Sequence, residues 1–323
     1  MMRPLHQRPR DDEATQAPAD GFLADVIEGL SRPVKRLPSK YFYDARGSHL
    51  FEAICETPEY YLTRAEIEIL GDHAMEMAAA VGPRRIIVEY GSGESIKTRL
   101  LLDHLDATAY VPVDVSEKPL LAASAAIQAE YPKLKVLPLH ADFTRPFALP
   151  VGALGRSLVY FPGSTIGNFD PSEATALLRN IARAPGCEGA LVGIDLVKSK
   201  SVLEAAYNDR DLVTAAFNLN LLHRINSELG GEFQPGRFAH RAVFNEAASR
   251  IEMHLVSKID QVVGVGGRSF SFRARESILT ELSHKYTLDG FSDMSSSAGL
   301  TLTQAWTDDA ARFAVVHLVR RAA

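Results

Sequence analysis

The stretch Arg84–Leu105, "RRIIVEYGSGESIKTRLLLDHL", decides the fold. It opens with a short apolar run, Ile86 to Val88, that brings Glu89 and Tyr90 to its end. Gly91 and Gly93 follow, and then a run with leucines at helical spacing. An apolar strand, a glycine turn and a helix make the first half of a βαβ unit. Glycines at such a turn let the backbone bend tightly and approach a ligand closely. A dinucleotide fold needs a third glycine to pack helix on strand around a pyrophosphate. Here that position is Ile96, so a nucleoside without phosphates fits the loop better. S-adenosylmethionine (SAM) is the expected cofactor, and an NAD-dependent oxidoreductase is disfavoured.

Downstream the pattern repeats. "AYVPVDVS" (109–116) ends in Asp114, and a helix follows through "PLLAASAAIQAEY". "LKVLPLHADF" (134–143), "SLVYFPGSTIGNF" (157–169) and "GALVGIDLV" (189–197) are further strand-like runs, with the helix "PSEATALLRNIARA" before the last. Short apolar runs alternating with helices predict a parallel, doubly wound α/β sheet, with ligands beyond the carboxyl ends of its strands. An acid at the end of the second strand, Asp114, is placed to accept both ribose hydroxyls. Asp142 is placed to accept from the adenine amino group, and Phe143 to pack against the ring. Three such features at three successive strand ends point to SAM more strongly than any one alone.

After Lys198 the alternation stops. Helices are expected through "VLEAAYNDRDLVTAAFNLNLLHRINSEL", then strands at "FAHRAVFN", "RIEMHLVSKI", "RSFSFRA" and "ILTELSHKYT". The end, "LTLTQAWTDDAARFAVVHLVRR", reads as two strands returning to the sheet as an antiparallel edge. The expected division is a flexible tail over 1–20, a substrate-binding α+β domain over 21–65 plus 197–285, and a SAM-binding domain over 66–196 plus 286–323.

Composition narrows the class. With 46% hydrophobic and 23% charged residues in 323, the chain can build one large core or two modest ones. A net charge of −5 without a basic block argues against a nucleic-acid partner. No apolar run is long enough to span a bilayer. The two cysteines, Cys55 and Cys187, form no CxxC pair, which fits a reducing cytoplasm. No histidine pair has metal-ligand spacing, so no metal is expected. The reading is a cytoplasmic, monomeric protein.

With these motifs in place the chain resembles a known family, the histidine Nα-methyltransferases of ergothioneine biosynthesis (the EgtD family). The resemblance runs from about Leu37 to the C-terminus. It rests on "KYFYDARGSHLFEAI", "TPEYYLTRAE", "VEYGSGESIKTRLLL", "FPGSTIGNF", "DLVKS", "AYNDRDLVTAAFNLN", "RIEMHL" and "LTELSHKY". It implies a Rossmann-like SAM domain, an inserted amino-acid-binding lobe and trimethylation of the α-amine of L-histidine to hercynine. By motif, the implied SAM contacts are Tyr60, Gly91, Lys97, Asp114, Asp142 and Phe143, with Gly163 and Ser164 nearby. The implied carboxylate and amine contacts are Tyr60, Asn168 and Tyr207. The imidazole would meet Glu281 and Ser283, with Tyr43 approaching through water and Met253 lining the pocket. Three positions depart from the family pattern: Leu62, Pro162 and His284. None removes an implied contact.

The chemistry suits these residues. Methyl transfer to an amine needs a neutral amine, an in-line approach and water kept out. A sulfonium beside the amine lowers its pKa, so no strong base is required. Tyrosine hydroxyls can donate to a carboxylate without adding formal charge. Alternation along "ILTELSHKYT" puts Glu281, Ser283 and Lys285 on one side of a strand. Taken alone that is an ordinary solvated face; in this company Glu281 and Ser283 read as selecting a polar ring. Two other readings stay open: methylation of another amino acid, such as a tryptophan derivative, and a non-catalytic SAM sensor.

Overall fold

The computed structural model describes residues 16–93, 96–150, 152, 153 and 155–321. In chain order the elements begin α1 (Gln16–Ser31), α2 (Ala45–Glu56) and α3 (Leu62–Val81). The alternating core follows: β1 (Arg85–Tyr90), α4 (Ile96–Leu102), β2 (Ala107–Asp114), α5 (Glu117–Glu130), β3 (Lys135–Val136), β4 (Leu139–His140), β5 (Ser157–Phe161), α6 (Pro171–Arg183) and β6 (Cys187–Asp195). Next are α7 (Lys200–Ala206), α8 (Val213–Leu229), β7 (Phe238–Asn245), β8 (Arg250–Ser257), β9 (Gln261–Val265), β10 (Arg268–Phe272) and β11 (Ser277–His284). The chain closes with α9 (Leu288–Ser297), β12 (Leu300–Thr307) and β13 (Phe313–Arg320).

The chain forms two compact units. The larger comprises Phe51–Val213, Ala242–Glu252 and the segment from Leu282 onward. Its sheet runs β12-β13-β6-β5-β1-β2-β3, with β4 also on β2. The pairs from β6 through β5, β1 and β2 to β3 are parallel, and β13 joins β6 antiparallel, as does β12 to β13. The chain moves outward from β1 to β3, then returns to place β5 on the other side of β1. That reversal creates a switch point between β1 and β5, where a sheet of this kind binds ligands. Both strands are buried along their full length. Ile86, Val88, Val159, Phe161 and Val192 belong to the core beneath them.

The smaller unit comprises the segment ending at Leu50, Thr214–Arg241 and Met253–Glu281. Phe42 packs on Phe217 at 4.6 Å, and Phe233, Phe238 and Phe272 meet one another at 5.5–6.2 Å. Its β9–β10 hairpin turns through Gly266 and Gly267, both at positive φ. A three-stranded sheet has the order β11-β8-β7.

Several expectations change in detail. Helix α1 starts at Gln16, inside the stretch expected as a tail; residues 1–15 lie outside the described residues. A boundary near 65 would cut through α3, which packs on β13 and α4 of the larger unit. The segments 51–65 and 197–213 therefore go with the parallel sheet. The third apolar run is interrupted at Pro138, which has no N–H to donate to a ladder, and gives two short strands, β3 and β4. Strand β9 and helix α9 carry weak signals: one contains Gly264, and the other is the serine-rich "LDGFSDMSSS".

Candidate active site

The carboxyl ends of β1, β2, β5 and β6 carry the site. Beyond β1, Gly91 sits at φ 70°, a conformation open to glycine, and its N–H donates to Val113 O at 2.9 Å. A Cβ on Gly91 would face the Phe143 ring at 3.8 Å. Phe143 stacks on Tyr90 at 5.2 Å and 13°, and meets Phe161 edge-on at 5.4 Å. Asp114, at the end of β2, accepts from the Ser116 N–H at 2.8 Å. Burial pushes its carboxyl above the usual range, against the pull of the Ser116, Gly93 and Val115 N–H groups. Asp142 accepts from both the N–H and the hydroxyl of Thr144, at 2.9 and 2.5 Å, which fixes the turn that presents Phe143.

Beyond β5 two consecutive residues are left-handed: Gly163 at φ 75° and Ser164 at φ 54°. A non-glycine residue there is held against its preference, as at many functional sites. Ser164 is anchored by the Asp195 N–H, which donates to its Oγ at 2.9 Å. The Gly163 N–H donates to both carboxylate oxygens of the fully buried Glu66, at 3.0 and 2.9 Å. Lys97 forms an ion pair with the same carboxylate. Lys97 and Gly163, both expected near SAM, are thus brought together by a residue that the sequence reading did not single out. Its signal was present: Glu66 shares a helical face with Ile69 and Leu70, a charge on an apolar stripe.

The end of β6 holds a dense polar cluster. Asp195 and Lys285 are fully buried and pair at 2.7 Å; Lys198 pairs with the other Asp195 oxygen at 2.6 Å. The Tyr61 hydroxyl donates to Asp195, at 2.8 Å from each oxygen, and accepts from Lys198 at 2.7 Å. Lys285 also donates to Tyr207 OH at 3.0 Å and to Ser283 Oγ at 2.8 Å. Those two hydroxyls lie 2.8 Å apart. Burial pushes the Lys198 ammonium down to about 8, although Asp195 pulls it up. For Lys285 burial also pulls down, but Asp195 and Tyr207 outweigh it and the net direction is up. Burial, then Asp195, raises the Tyr61 phenol far above its ordinary value.

Tyr60 is nine-tenths buried and meets the Tyr207 ring edge-on at 6.1 Å. Both members of the Tyr60–Tyr61 pair are therefore interior rings. Tyr207 immediately follows α7 and is likewise buried. Asn168 ends a short 3-10 turn, Thr165–Asn168, that is tied down by His284, whose ring lies 2.9 Å from Gly167 O. Burial lowers the His284 pKa, which favours the neutral ring. Tyr60, Asn168, Tyr207, Ser283 and all the expected SAM contacts belong to the larger unit. Tyr43, Met253 and Glu281 belong to the smaller one. There Tyr43 meets Phe217 edge-on at 5.8 Å, Met253 is buried, and Glu281 is half-buried on β11.

A backbone free of Cβ at Gly91, an aromatic wall at Phe143 and a half-buried acid at Asp114 fit a nucleoside at the switch point. In class this is a SAM-dependent methyltransferase with a Rossmann-like fold. The family model for "Histidine-specific methyltransferase, SAM-dependent" matches residues 22–320, and the chain belongs to that family. It is 41% identical to the histidine N-alpha-methyltransferase of Mycolicibacterium smegmatis, over 95% of this chain and 97% of that one. The enzyme of the same name from Mycobacterium tuberculosis is 42% identical over 91% and 94%. Ergothioneine biosynthesis protein 1 of Neurospora crassa is 31% identical over 88% of this chain and 34% of that longer protein.

Proposed function

We propose that this enzyme trimethylates the α-amine of L-histidine to hercynine, the first step of ergothioneine biosynthesis. The observation that carries the reading is the pairing of Tyr207 with Ser283, 2.8 Å apart and linked through Lys285 to Asp195 at the end of β6. In family terms Tyr207 serves the amino-acid end of the substrate and Ser283 the ring end.

SAM, when bound, supplies an electrophilic methyl on a sulfonium centre. Gly91, Asp114 and Phe143 are the residues proposed to hold its nucleoside, with Asp142, Lys97, Gly163 and Ser164 around them. The protein's own work is orientation and exclusion of water. Orientation alone is worth roughly 7–11 kcal/mol in a well-aligned site. Tyr60, Asn168 and Tyr207 would hold the carboxylate and amine, and the Asn168 amide can accept from one while donating to the other. By the family's pattern Glu281 would accept from one ring N–H and Ser283 would meet the second ring nitrogen, and Tyr43 and Met253 are the remaining implied ring contacts. Fixing both ends while leaving the nitrogen loosely bonded lets the amine turn between rounds.

Two polar ring contacts, Glu281 and Ser283, suit an imidazole with two ring nitrogens better than a bulky indole with one, which argues against a tryptophan-derivative substrate. Three substrate-facing groups beside the cofactor motifs, Tyr60, Asn168 and Tyr207, argue against a sensor. Incubation with SAM and a panel of amino acids, read by mass spectrometry, tests the reading. Histidine should gain one, two and then three methylene masses. No gain on histidine would remove it, and a stop at one methyl would remove trimethylation.

A further inference from the structure

We infer that Glu66 is a positioning residue for the cofactor: its buried carboxylate holds Lys97 and the Gly163–Ser164 turn in place to receive the amino-acid end of SAM. The inference rests on the proposed contact of Lys97 with SAM and deepens it.

The sequence poses the problem. Glu66 lies on the apolar stripe of α3 with Leu62, Ala65, Ile69 and Leu70, all of them buried. Its side chain has no exposure. A carboxylate taken out of water is costly unless it is both paired and hydrogen-bonded. Here it is both. Lys97, in the first turn of α4, supplies the ion pair, and the Gly163 N–H donates to the two oxygens at 3.0 and 2.9 Å. The neighbouring strand makes room for the group. Gly193 lies within β6, and a Cβ there would collide with Glu66 Oε1.

The position of the carboxylate gives its role. Lys97 follows the glycine loop after β1, and Gly163 follows β5. Glu66 therefore ties together the two strand ends that border the switch point. Gly163 and Ser164 are both left-handed, a conformation that persists only where the surroundings fix it. Glu66 fixes Gly163, while the Asp195 N–H donates to Ser164 Oγ at 2.9 Å and the Gly167 N–H to Ser164 O at 2.8 Å. The Lys97 ammonium lies against the same turn, since a Cβ on Gly163 would stand 3.7 Å from its Nζ.

The chemistry gives the ligand. SAM carries one carboxylate, on its amino-acid end, and a lysine ammonium offers donors only. A lysine with a loose stem must give up its rotamer freedom when it binds. Paired with Glu66, Lys97 is ordered before the cofactor arrives. Its three donors allow it to meet a ligand oxygen while it keeps Glu66. The Lys97 side chain is 21% exposed, so the ion pair opens to solvent at its ammonium end. Glu66 thus acts through Lys97 and does not itself touch the cofactor.

Calorimetry tests this by comparing S-adenosylhomocysteine with 5′-methylthioadenosine, which keeps the nucleoside and sulfur but lacks the amino-acid end. Wild type should prefer S-adenosylhomocysteine. Lys97→Met should raise the Kd of S-adenosylhomocysteine about 10- to 100-fold and change that of methylthioadenosine less than about twofold. Glu66→Gln should show the same selectivity on a smaller scale, about 3- to 10-fold, because an unordered Lys97 must then be fixed on binding. In the double variant the losses should not multiply: S-adenosylhomocysteine should bind within about twofold of Lys97→Met. The double variant removes both charges, and its selective loss replaces that of Lys97→Met if the single variant does not fold. Glu66→Gln weakening both ligands equally, or neither, overturns the inference, as do losses that multiply in the double variant. If removal of Lys97 leaves the preference for S-adenosylhomocysteine intact, the Lys97 contact itself falls, and the inference with it.

Discussion

Two regions at the same strand ends are built in opposite ways. The cofactor side, around Gly91, Asp114 and Phe143, uses short local motifs, each just beyond its own strand and held mainly by backbone N–H groups and aromatic contacts. The cluster at the end of β6 gathers Tyr61, Asp195, Lys198, Tyr207, Ser283 and Lys285 from distant parts of the chain and holds them with buried charge. The first can be read from spacing. The second exists only once the chain has folded, because a 134-residue separation lies between Tyr61 and Asp195. The local motifs are the proposed cofactor contacts, and the long-range cluster carries Tyr207 and Ser283, two of the proposed substrate contacts.

The contrast can be broken most forcefully at Asp195. Asp195→Ala leaves two buried ammoniums with no carboxylate between them, and should cost about 3–5 kcal/mol of stability, read by urea denaturation. A loss below about 1 kcal/mol would mean that the cluster is far more hydrated than its burial indicates. Next in size is specificity. Glu281→Ala should reduce kcat/KM for histidine by about a hundredfold or more while sparing tryptophan, because a ring N–H loses its acceptor. Retained preference for histidine would remove Glu281 from ring selection.

The cofactor side has its own buried acid. Glu89 accepts from Thr98 at 2.6 Å and from Tyr110, and burial raises its carboxyl from 4.5 to about 7. It therefore holds its proton more tightly folded than unfolded. Folding takes up a proton between those values, and the contribution of Glu89 to stability falls as pH rises from about 4.5 through about 7. Glu89→Gln should flatten this decline and stabilise the protein at pH 8 by on the order of 2–3 kcal/mol. An unchanged pH–stability curve would contradict it. The smallest effect is expected at Asp114. Asp114→Asn should weaken S-adenosylhomocysteine binding about tenfold, with histidine specificity unchanged.

How much was legible in the sequence follows the same division. The parallel sheet with its alternating helices and its antiparallel edge followed from apolar runs and glycine turns, while the break at Pro138 and helix α9 did not. The glycine loop and the strand-end acids followed from position. The partnerships of Glu66 with Gly163 and Lys97 and of Asp195 with Lys285 did not, because pairing between different elements leaves no periodic trace; only the place of Glu66 on an apolar stripe was visible. Lys285 nevertheless stood on the same parity as Ser283 in "ILTELSHKYT". In β11 the alternation of buried and half-buried residues ends at Ser283, and Ser283, His284 and Lys285 are all buried. An ammonium buried beside a hydroxyl is not a solvated strand face, and that was the missing sign.

The central claim is that the ring and carboxylate are held while the α-amine alone faces the methyl donor. It is tested most directly by the position of the transferred groups. Reaction of L-histidine with SAM carrying a ¹³C-labelled methyl, followed by heteronuclear NMR of the product, locates them. The account predicts a single resonance for three equivalent methyls, correlated to the α-proton. Labelled methyls correlated to imidazole carbons would contradict it.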